Sequence, residues 1–281
     1  FHPFVIKLKE VIDNKQLGEI YSVNVNFGSY LPDRHPGRDY REDYVTKRSL
    51  GGGAILDVIH EIDYLSWIFG LPQKVFAFAE KRSNLEMETE DSADILLRLN
   101  QKSVINFHLD FLRRPYTRIV EVIGEKGTLI MDFAKNGDFE LGEFKIFNPV
   151  KKEWEKTNHN FNHDQTYLLE LSQFVNFDQS EDKISCRGGF AEKVLNVALA
   201  VKESAKCGKI IKIEENQNDF NKTSNYYNNI KIDSNCDDNI NKNGNLLQIK
   251  ETSKLKINKS KELFEEAQKL IPGQSQTLSK G

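Results

Sequence analysis

The sequence predicts an α+β fold in which helices cover an open, mainly antiparallel sheet. Six runs with the alternation typical of strands follow one another between residues 74 and 147, with short turns and no helical pattern between them. Short turns join antiparallel neighbours, whereas parallel strands need a long crossover connection. Helical patterns of apolar residues stand before and after these runs. The order of elements therefore indicates a sheet with helices added to it and not a series of βαβ units.

The first elements are a helix, a strand and a loop. Residues 3–16 form an amphipathic helix, because apolar residues recur at helical spacing until Leu17-Gly18 closes the pattern. Residues 19–30 alternate polar and apolar side chains, which is the period of a half-buried strand. A polar loop spans residues 31–50, and another helix begins near Gly53.

The later elements complete the sheet and its helical cover. The predicted strands are residues 74–79, 92–99, 103–111, 118–123, 128–132 and 139–147, read as an antiparallel meander. Helices are predicted over residues 163–177 and 190–205, with Gly208 as the cap of the second, and residues 209–213 form a last short strand. These two helices are expected to cover one face of the sheet.

The composition changes abruptly near residue 214. Asn and Lys dominate residues 214–258, and large apolar residues are sparse, so we predict a disordered linker there. From residue 259 a short helical pattern appears and ends at Pro272-Gly273. The predicted organisation is thus a domain over residues 1–213, a linker over 214–258 and a stub over 259–281.

Charge and hydropathy exclude several classes of function. The net charge is −3 and the charged residues are interspersed, so no basic surface indicates a nucleic acid or an anionic membrane as partner. No apolar run is long enough to cross a bilayer. A small molecule is the expected ligand.

The cysteines and the first residue indicate the compartment and the extent of the chain. The three cysteines, Cys186, Cys207 and Cys236, have no metal-binding spacing and no disulfide framework, which favours a reducing compartment. We therefore expect a cytoplasmic protein. The chain begins at Phe1 with no signal sequence, and we interpret this end as a truncation.

The stretch from Gly51 to Tyr64 is the most informative about chemistry. Three successive glycines allow another group to approach the backbone, and free N–H groups in the first helical turn favour an anionic or polar ligand. On one continuous helix Asp57, His60 and Tyr64 share a stripe. A carboxylate beside an imidazole can tune a general acid or base. The alternative is a capping aspartate and a satisfied surface histidine. No third ligand accompanies the pair, which disfavours a metal site.

This stretch resembles the glycine, aspartate and histidine signature of the Gfo/Idh/MocA oxidoreductases. Similar segments occur in the same order at residues 1–3, 17–20, 121–128 and 204–209, so the resemblance covers residues 1 to about 213. It implies an open-sheet domain preceded by a Rossmann domain that binds NAD or NADP through a glycine-rich loop and a lysine. That loop and lysine are missing here, so no cofactor-binding residue is predicted in this chain.

The resemblance also implies roles for individual residues. His60 would exchange a proton with the reacting hydroxyl or ketone, and Asp57 would orient or polarise it or hold the substrate. The family commonly places these residues four apart, whereas they are three apart here. Further substrate-binding candidates are His35, Arg38, Tyr40, Tyr44, Tyr64 and Arg114. Their alternative reading is a solvated surface loop with local salt bridges. A homo-oligomer formed through the open sheet is expected.

The last residues resemble the beginning of a class III aminotransferase that uses pyridoxal phosphate. This similarity covers about 20 residues within 259–281 and includes no catalytic lysine. It implies a fused enzyme that would bind pyridoxal phosphate only through downstream residues. Oxidation of a sugar hydroxyl to a ketone would then supply the acceptor for amination, as in amino-sugar or surface-glycan biosynthesis.

Three functions stay open from the sequence. The first is an NAD(P)-dependent oxidoreductase acting on the CH–OH group of a sugar or sugar derivative. The second is a non-catalytic ligand-binding or oligomerisation module of the same fold. The third, a metal-dependent sugar isomerase or hydrolase, requires a stoichiometric divalent metal.

Overall fold

The computed structural model describes residues 1–213 apart from 134, 137–138, 163 and 176–187. The predicted linker and stub, residues 214–258 and 259–281, lie outside the described residues, as do Cys186 and Cys236. Cys207 is a free, partly buried thiol.

Ten strands of the described residues form one sheet. They are β1 (Ile20–Gly28), β2 (Lys74–Glu80), β3 (Ser92–Arg98), β4 (Val104–Asp110), β5 (Thr117–Gly124), β6 (Gly127–Asp132), β7 (Lys135–Asn136), β8 (Phe139–Asn148), β9 (Glu153–Asn162) and β10 (Ile211–Lys212). Their spatial order is β10-β2-β3-β4-β1-β5-β6-β8-β7, and β9 pairs with β8.

One parallel pair joins two antiparallel halves of this sheet. Strand β1 runs parallel to β4, with Ser22 opposite Val104 and Gly28 opposite Asp110, and the other described pairs are antiparallel. The prediction of an open, mainly antiparallel sheet is confirmed. The simple meander is wrong, because β1 lies between β4 and β5 and separates two strands that follow each other in the sequence.

Five α-helices of the described residues accompany the sheet. They are α1 (Pro3–Asp13), α2 (Ala54–Asp57), α3 (Ile59–Phe69), α4 (Asp164–Val175) and α5 (Gly188–Cys207). Helix α1 ends before the predicted residue 16, because Lys15 and Gly18 adopt positive φ angles of 52° and 68°. None of the described helices is both long and apolar enough to span a bilayer.

The helix predicted to begin near Gly53 does begin there but is interrupted after one turn. Gly53 has a φ of 108°, and Val58 has φ −100° and ψ 20°, outside the helical region. Because Val58 is fully buried, the interruption is fixed by the core around it. Asp57 therefore ends α2, whereas His60 lies in the first turn of α3.

The core lies between the sheet and the helices, with buried residues from α1, α3 and α5. Val197 and Val201 of α5 and Ala77 of β2 are fully buried. The Ser204 hydroxyl accepts a hydrogen bond from the Ala77 N–H at 3.1 Å and donates to the Lys209 carbonyl at 2.6 Å, which fixes α5 on this edge of the sheet. The other face of the sheet carries exposed apolar side chains such as Phe78.

Candidate functional site

Asp57 is held by two side chains from the loop of residues 31–50. Its Oδ2 accepts a hydrogen bond from Nη1 of Arg34 at 2.7 Å, and its Oδ1 accepts one from the Tyr44 hydroxyl at 2.7 Å. The Asp57 side chain is 12% exposed and that of Arg34 is 19% exposed. The pair is thus a shielded ion pair at the margin of the protein surface, with both carboxylate oxygens engaged.

Arg34 was not among the residues singled out from the sequence. Its Nε donates to the Ser29 hydroxyl at 2.7 Å, and its guanidinium lies 4.5 Å from the centre of the Phe111 ring. These contacts orient it toward Asp57. Burial, followed by the hydrogen bond to Asp57, raises the pKa of Tyr44, so this hydroxyl stays a proton donor in the hydrogen bond.

His60 contacts a different carboxylate, that of Glu61. Its Nε2 lies 3.2 Å from Oε1 of Glu61, and its side chain is half exposed. The Phe27 ring meets the imidazole edge to face, with centroids 5.7 Å apart and planes at 74°. One face of the imidazole ring is therefore packed against the protein while the group keeps access to solvent.

Glu61 is the anchor of a buried network. Its side chain has no exposure, and its Oε1 lies 2.7 Å from Nε of Arg118 in β5. Its Oε2 accepts a hydrogen bond from the Tyr64 hydroxyl at 2.6 Å. Burial alone would raise the pKa of Glu61, but Arg118, His60 and Tyr64 outweigh it and lower that pKa to about 2. Glu61 is therefore ionised at any pH near neutrality.

Asp57, His60 and Tyr64 do not lie on one continuous helix, because Asp57 ends α2 and Val58 departs from the helical angles. Asp57 and His60, both within the described part of the chain, share no hydrogen bond or ion pair. Tyr64 is buried, and burial together with the neighbouring Glu61 raises its pKa. Its hydroxyl donates a hydrogen bond to Glu61, whereas the sequence suggested Tyr64 as a substrate-binding residue.

The space beside Gly52 and Gly53 is filled by the protein itself, whereas a Cβ on Gly51 would meet nothing within 4 Å. A Cβ on Gly52 would overlap the carbonyl oxygens of Tyr44 and Val45, and one on Gly53 would overlap the carboxylate of Glu90. That carboxylate accepts from the Ile55 N–H at 3.3 Å, and Lys202 Nζ lies 3.3 Å from both its oxygens. The prediction that this helix start receives an external anion is therefore wrong.

The remaining loop candidates are spread over the surface. His35 is exposed and its Nε2 lies 4.0 Å from Asp43, while Arg38 is also exposed. The Tyr40 hydroxyl accepts from the Glu86 N–H at 3.0 Å.

Arg114 lies on the far side of this loop, next to strand β5. It makes two hydrogen bonds to Asp33, of 2.6 and 3.1 Å, and stacks 3.5 Å from the centre of the Tyr30 ring. Of the loop residues predicted from the sequence, Tyr44 alone contacts Asp57 directly. Across the described ranges, no group of three or more His, Cys, Asp or Glu side chains is placed to hold a metal ion.

A comparison with known protein families bears on this site. Residues 5–130 match the family model of the GFO/IDH/MocA C-terminal domain. The matched segment runs from α1 into β6 and contains Asp57, His60 and Glu61. No curated protein sequence matches the chain.

Solved structures share the same fold. A WlbA dehydrogenase from Bordetella pertussis, in complex with NADH and UDP-GlcNAcA, is 20% identical with a TM-score of 0.55, over 75% of this chain and 59% of its own. An aldose-aldose oxidoreductase from Caulobacter crescentus, complexed with glycerol, is 19% identical with a TM-score of 0.61, over 75% and 60%. An oxidoreductase from Agrobacterium radiobacter, in complex with NAD+, L-tartaric acid and magnesium, is 18% identical with a TM-score of 0.60. The match covers 74% of this chain and 61% of that protein.

The match over residues 5–130 supports the Gfo/Idh/MocA family that the sequence resembles, and the solved structures show a common fold. The chain spans about three fifths of the length of these solved structures. The resemblance of residues 259–281 to an aminotransferase lies outside both the family match and the described residues, and it stays a prediction.

Proposed function

We propose that this chain is the substrate-binding part of an NAD(P)-dependent oxidoreductase acting on the CH–OH group of a sugar or sugar derivative. The observation that carries the proposal is His60, a half-exposed imidazole that contacts a buried and ionised carboxylate. It lies within the segment that matches the family model.

The chemistry of an alcohol defines the role of His60. Oxidation of a CH–OH group removes a hydride from carbon and a proton from oxygen, and a bound nicotinamide is the group that supplies hydride chemistry. In this proposal His60 takes the hydroxyl proton, and in the reverse direction it returns that proton to the ketone oxygen. Glu61 places a negative charge 3.2 Å from Nε2 of this imidazole.

The cofactor is assigned to another domain. The glycine-rich helix start is filled by Glu90, so the described residues offer no cradle for a dinucleotide there. We therefore propose that NAD or NADP binds to a Rossmann domain joined to this chain, whose span of about three fifths of the solved structures leaves length for such a domain. The proposed domain boundaries are those predicted from the sequence, residues 1–213, 214–258 and 259–281.

The sugar is assigned to the surface around Asp57. Tyr44 is half exposed and shares Asp57 with Arg34, so a sugar hydroxyl could exchange with the Tyr44 hydroxyl as donor to the carboxylate. Further proposed contacts are the exposed His35, Arg38 and Arg114 and the partly buried Tyr40. The buried Tyr64 is reassigned to support of Glu61.

The open face of the sheet is the proposed contact between copies of the chain. It holds a groove of about 710 Å³ with Phe76, Phe78 and Leu96 in its lining, of which Phe78 is 53% exposed. Sedimentation velocity would then show a dimer or larger species for the native chain and a monomer for Phe78→Lys. The control is Leu168→Lys on α4, which also replaces an exposed apolar residue by lysine. A monomeric native chain would contradict the assignment.

A cytoplasmic location and a fusion to an aminotransferase are two further proposals. They depend on the composition and on the last residues of the chain. The scattered cysteines favour the cytoplasm. The stub, residues 259–281, supports a fusion to an aminotransferase that would use pyridoxal phosphate, and sequencing of the gene beyond residue 281 tests it.

The test of the proposed reaction needs a protein that includes the nucleotide-binding domain. We expect NAD(P)H formation from a panel of sugars, and no such activity from the 281-residue chain alone. His60→Ala should lower kcat by about 10²–10⁴-fold, with cofactor affinity and circular dichroism unchanged. A kcat within a few-fold of the native value would remove the catalytic assignment and favour a non-catalytic module.

A further inference from the structure

We propose that Glu61, and not Asp57, is the residue that positions the His60 imidazole. It does so by holding Nε2, which leaves Nδ1 as the nitrogen that exchanges the proton. This inference rests on the proposed function, in which His60 is the acid and base.

The contacts distinguish the two carboxylates. Nε2 of His60 lies 3.2 Å from Oε1 of Glu61, whereas both oxygens of Asp57 are engaged by Arg34 and Tyr44. The interruption at Val58 separates Asp57 from the first turn of α3. Asp57 therefore has no direct means of orienting His60.

Glu61 has the rigidity that a positioning residue needs. It is completely buried, and its Oε2 accepts a hydrogen bond from the Tyr64 hydroxyl at 2.6 Å. Its Oε1 lies 2.7 Å from Nε of Arg118 as an ion pair without hydrogen-bond geometry. Arg118 is itself 11% exposed and lies 4.2 Å from the centre of the Phe133 ring. A side chain fixed by packing and by partners of this kind presents its oxygen at one place.

The protonation of Glu61 decides which ring nitrogen carries the proton. Arg118, His60 and Tyr64 keep the pKa of this buried carboxyl at about 2, against the opposing effect of burial, so near neutrality it can only accept hydrogen bonds. Oε1 of Glu61 makes no hydrogen bond of regular geometry among the described residues, so His60 meets it as an ion-pair contact. The negative charge 3.2 Å away favours a proton on the ring nitrogen that faces it. In the neutral ring the proton is on Nε2, and Nδ1 holds the lone pair that can take a proton from a hydroxyl. When the imidazolium forms, the proton on Nδ1 is the one that returns.

The Phe27 ring adds a second constraint on the imidazole. It meets His60 edge to face at 5.7 Å, which restricts rotation of the imidazole about its Cβ–Cγ bond. The carboxylate and the aromatic ring together select one orientation of a half-exposed side chain.

The test uses the 281-residue chain labelled with ¹⁵N at histidine. Long-range ¹H–¹⁵N spectra, recorded where the ring is neutral, report which nitrogen is protonated, and His60→Gln assigns the signals. In the native chain we expect one tautomer with the proton on Nε2, and nuclear Overhauser contacts between the His60 and Phe27 rings.

Two variants remove the positioning carboxylate. In Glu61→Gln the amide can accept from or donate to Nε2, so the two ¹⁵N signals should move toward each other as both tautomers become populated. Because that change leaves Arg118 without its anion, a second variant combines Glu61→Met with Arg118→Met and removes both charges together. Both variants should lose the nuclear Overhauser contacts between His60 and Phe27. The amide signals outside this region should remain those of the folded native chain.

The matched control is Asp57→Asn, which should leave the His60 signals unchanged. The proposal is overturned if the His60 ring of the native chain is a mixture of tautomers, or if it stays a single tautomer in both Glu61 variants. It is also overturned if Asp57→Asn changes the tautomer of His60. Failure of the proposed function would show separately, as an unchanged kcat for His60→Ala.

Discussion

Asp57 and Glu61 are two carboxylates four residues apart that have opposite surroundings. Asp57 ends a single helical turn and is bound by a loop, through Arg34 and Tyr44, with 12% of its side chain exposed. Glu61 lies inside α3 and is bound by a strand, through Arg118, with no exposure. On an uninterrupted helix the two would point to the same side. The interruption at Val58 directs one carboxylate toward the surface loop and the other into the sheet.

The contrast between the two surroundings shows which carboxylate can exchange its binding partner. A group with an exposed margin can replace a lost partner with water, whereas a fully buried anion cannot. Asp57 is thus suited to exchange partners with a ligand, and Glu61 is suited to hold one arrangement. The three predictions that follow test this contrast.

The largest effect is expected when each carboxylate loses its arginine. Arg118→Met leaves the buried Glu61 without its main counter-charge and should lower the free energy of unfolding by about 3–5 kcal/mol. Arg34→Met leaves Asp57 with Tyr44 and partial solvation, and should cost about 1–3 kcal/mol. Urea denaturation followed by circular dichroism measures both. Equal losses of unfolding free energy would mean that burial does not distinguish the two carboxylates.

Lowering the pH should lower the free energy of unfolding through Glu61. Its pKa is lowered from 4.5 to about 2 in the folded chain, so the unfolded chain binds a proton first as the pH falls. The stabilisation from Glu61 is then fully present above about pH 4.5 and is lost between pH 4.5 and 2. Glu61→Gln should flatten the dependence of unfolding free energy on pH in that window. An unchanged slope would show that other carboxyls account for it.

The smallest effect is expected at Tyr44. Tyr44→Phe removes one hydrogen bond to Asp57 from a half-exposed hydroxyl and should cost about 0.5–1.5 kcal/mol. Tyr64→Phe removes the equivalent bond to buried Glu61 and should cost more, because no water can replace the donor. The matched pair of tyrosines makes the comparison direct. A larger loss of unfolding free energy for Tyr44→Phe than for Tyr64→Phe would contradict this expectation.

The sequence predicted those features that depend on local pattern. The apolar repeat placed α1 and α5 within a few residues of their observed ends, and alternation located the strands from β1 to β6 and also β8. Strand β9 was not predicted, because its residues 153–162 are mostly charged or polar and show no apolar alternation. Edge strands of this kind carry little of the signal on which such predictions depend.

The arrangement of the site depends on contacts that are distant in the sequence. Val58 fits an apolar helical pattern, so nothing local indicated that the helix is interrupted there. Glu61 looks like a surface residue until Arg118, from another element, is placed beside it. In the same way Glu90 fills the space at Gly53 from a segment that precedes β3. A helical wheel cannot show partners that tertiary packing supplies.

The parallel pairing of β1 with β4 has a consequence for the order in which the chain is made. A ribosome releases β1 first, but its two neighbours in the sheet, β4 and β5, begin at residues 104 and 117. Until both have emerged, the apolar face formed by Val23, Val25 and Phe27 has no strand on either side. An unpaired strand with one apolar face is the type of segment that nascent chains must protect from association. The central strand of this sheet is therefore completed late, although it is synthesised early.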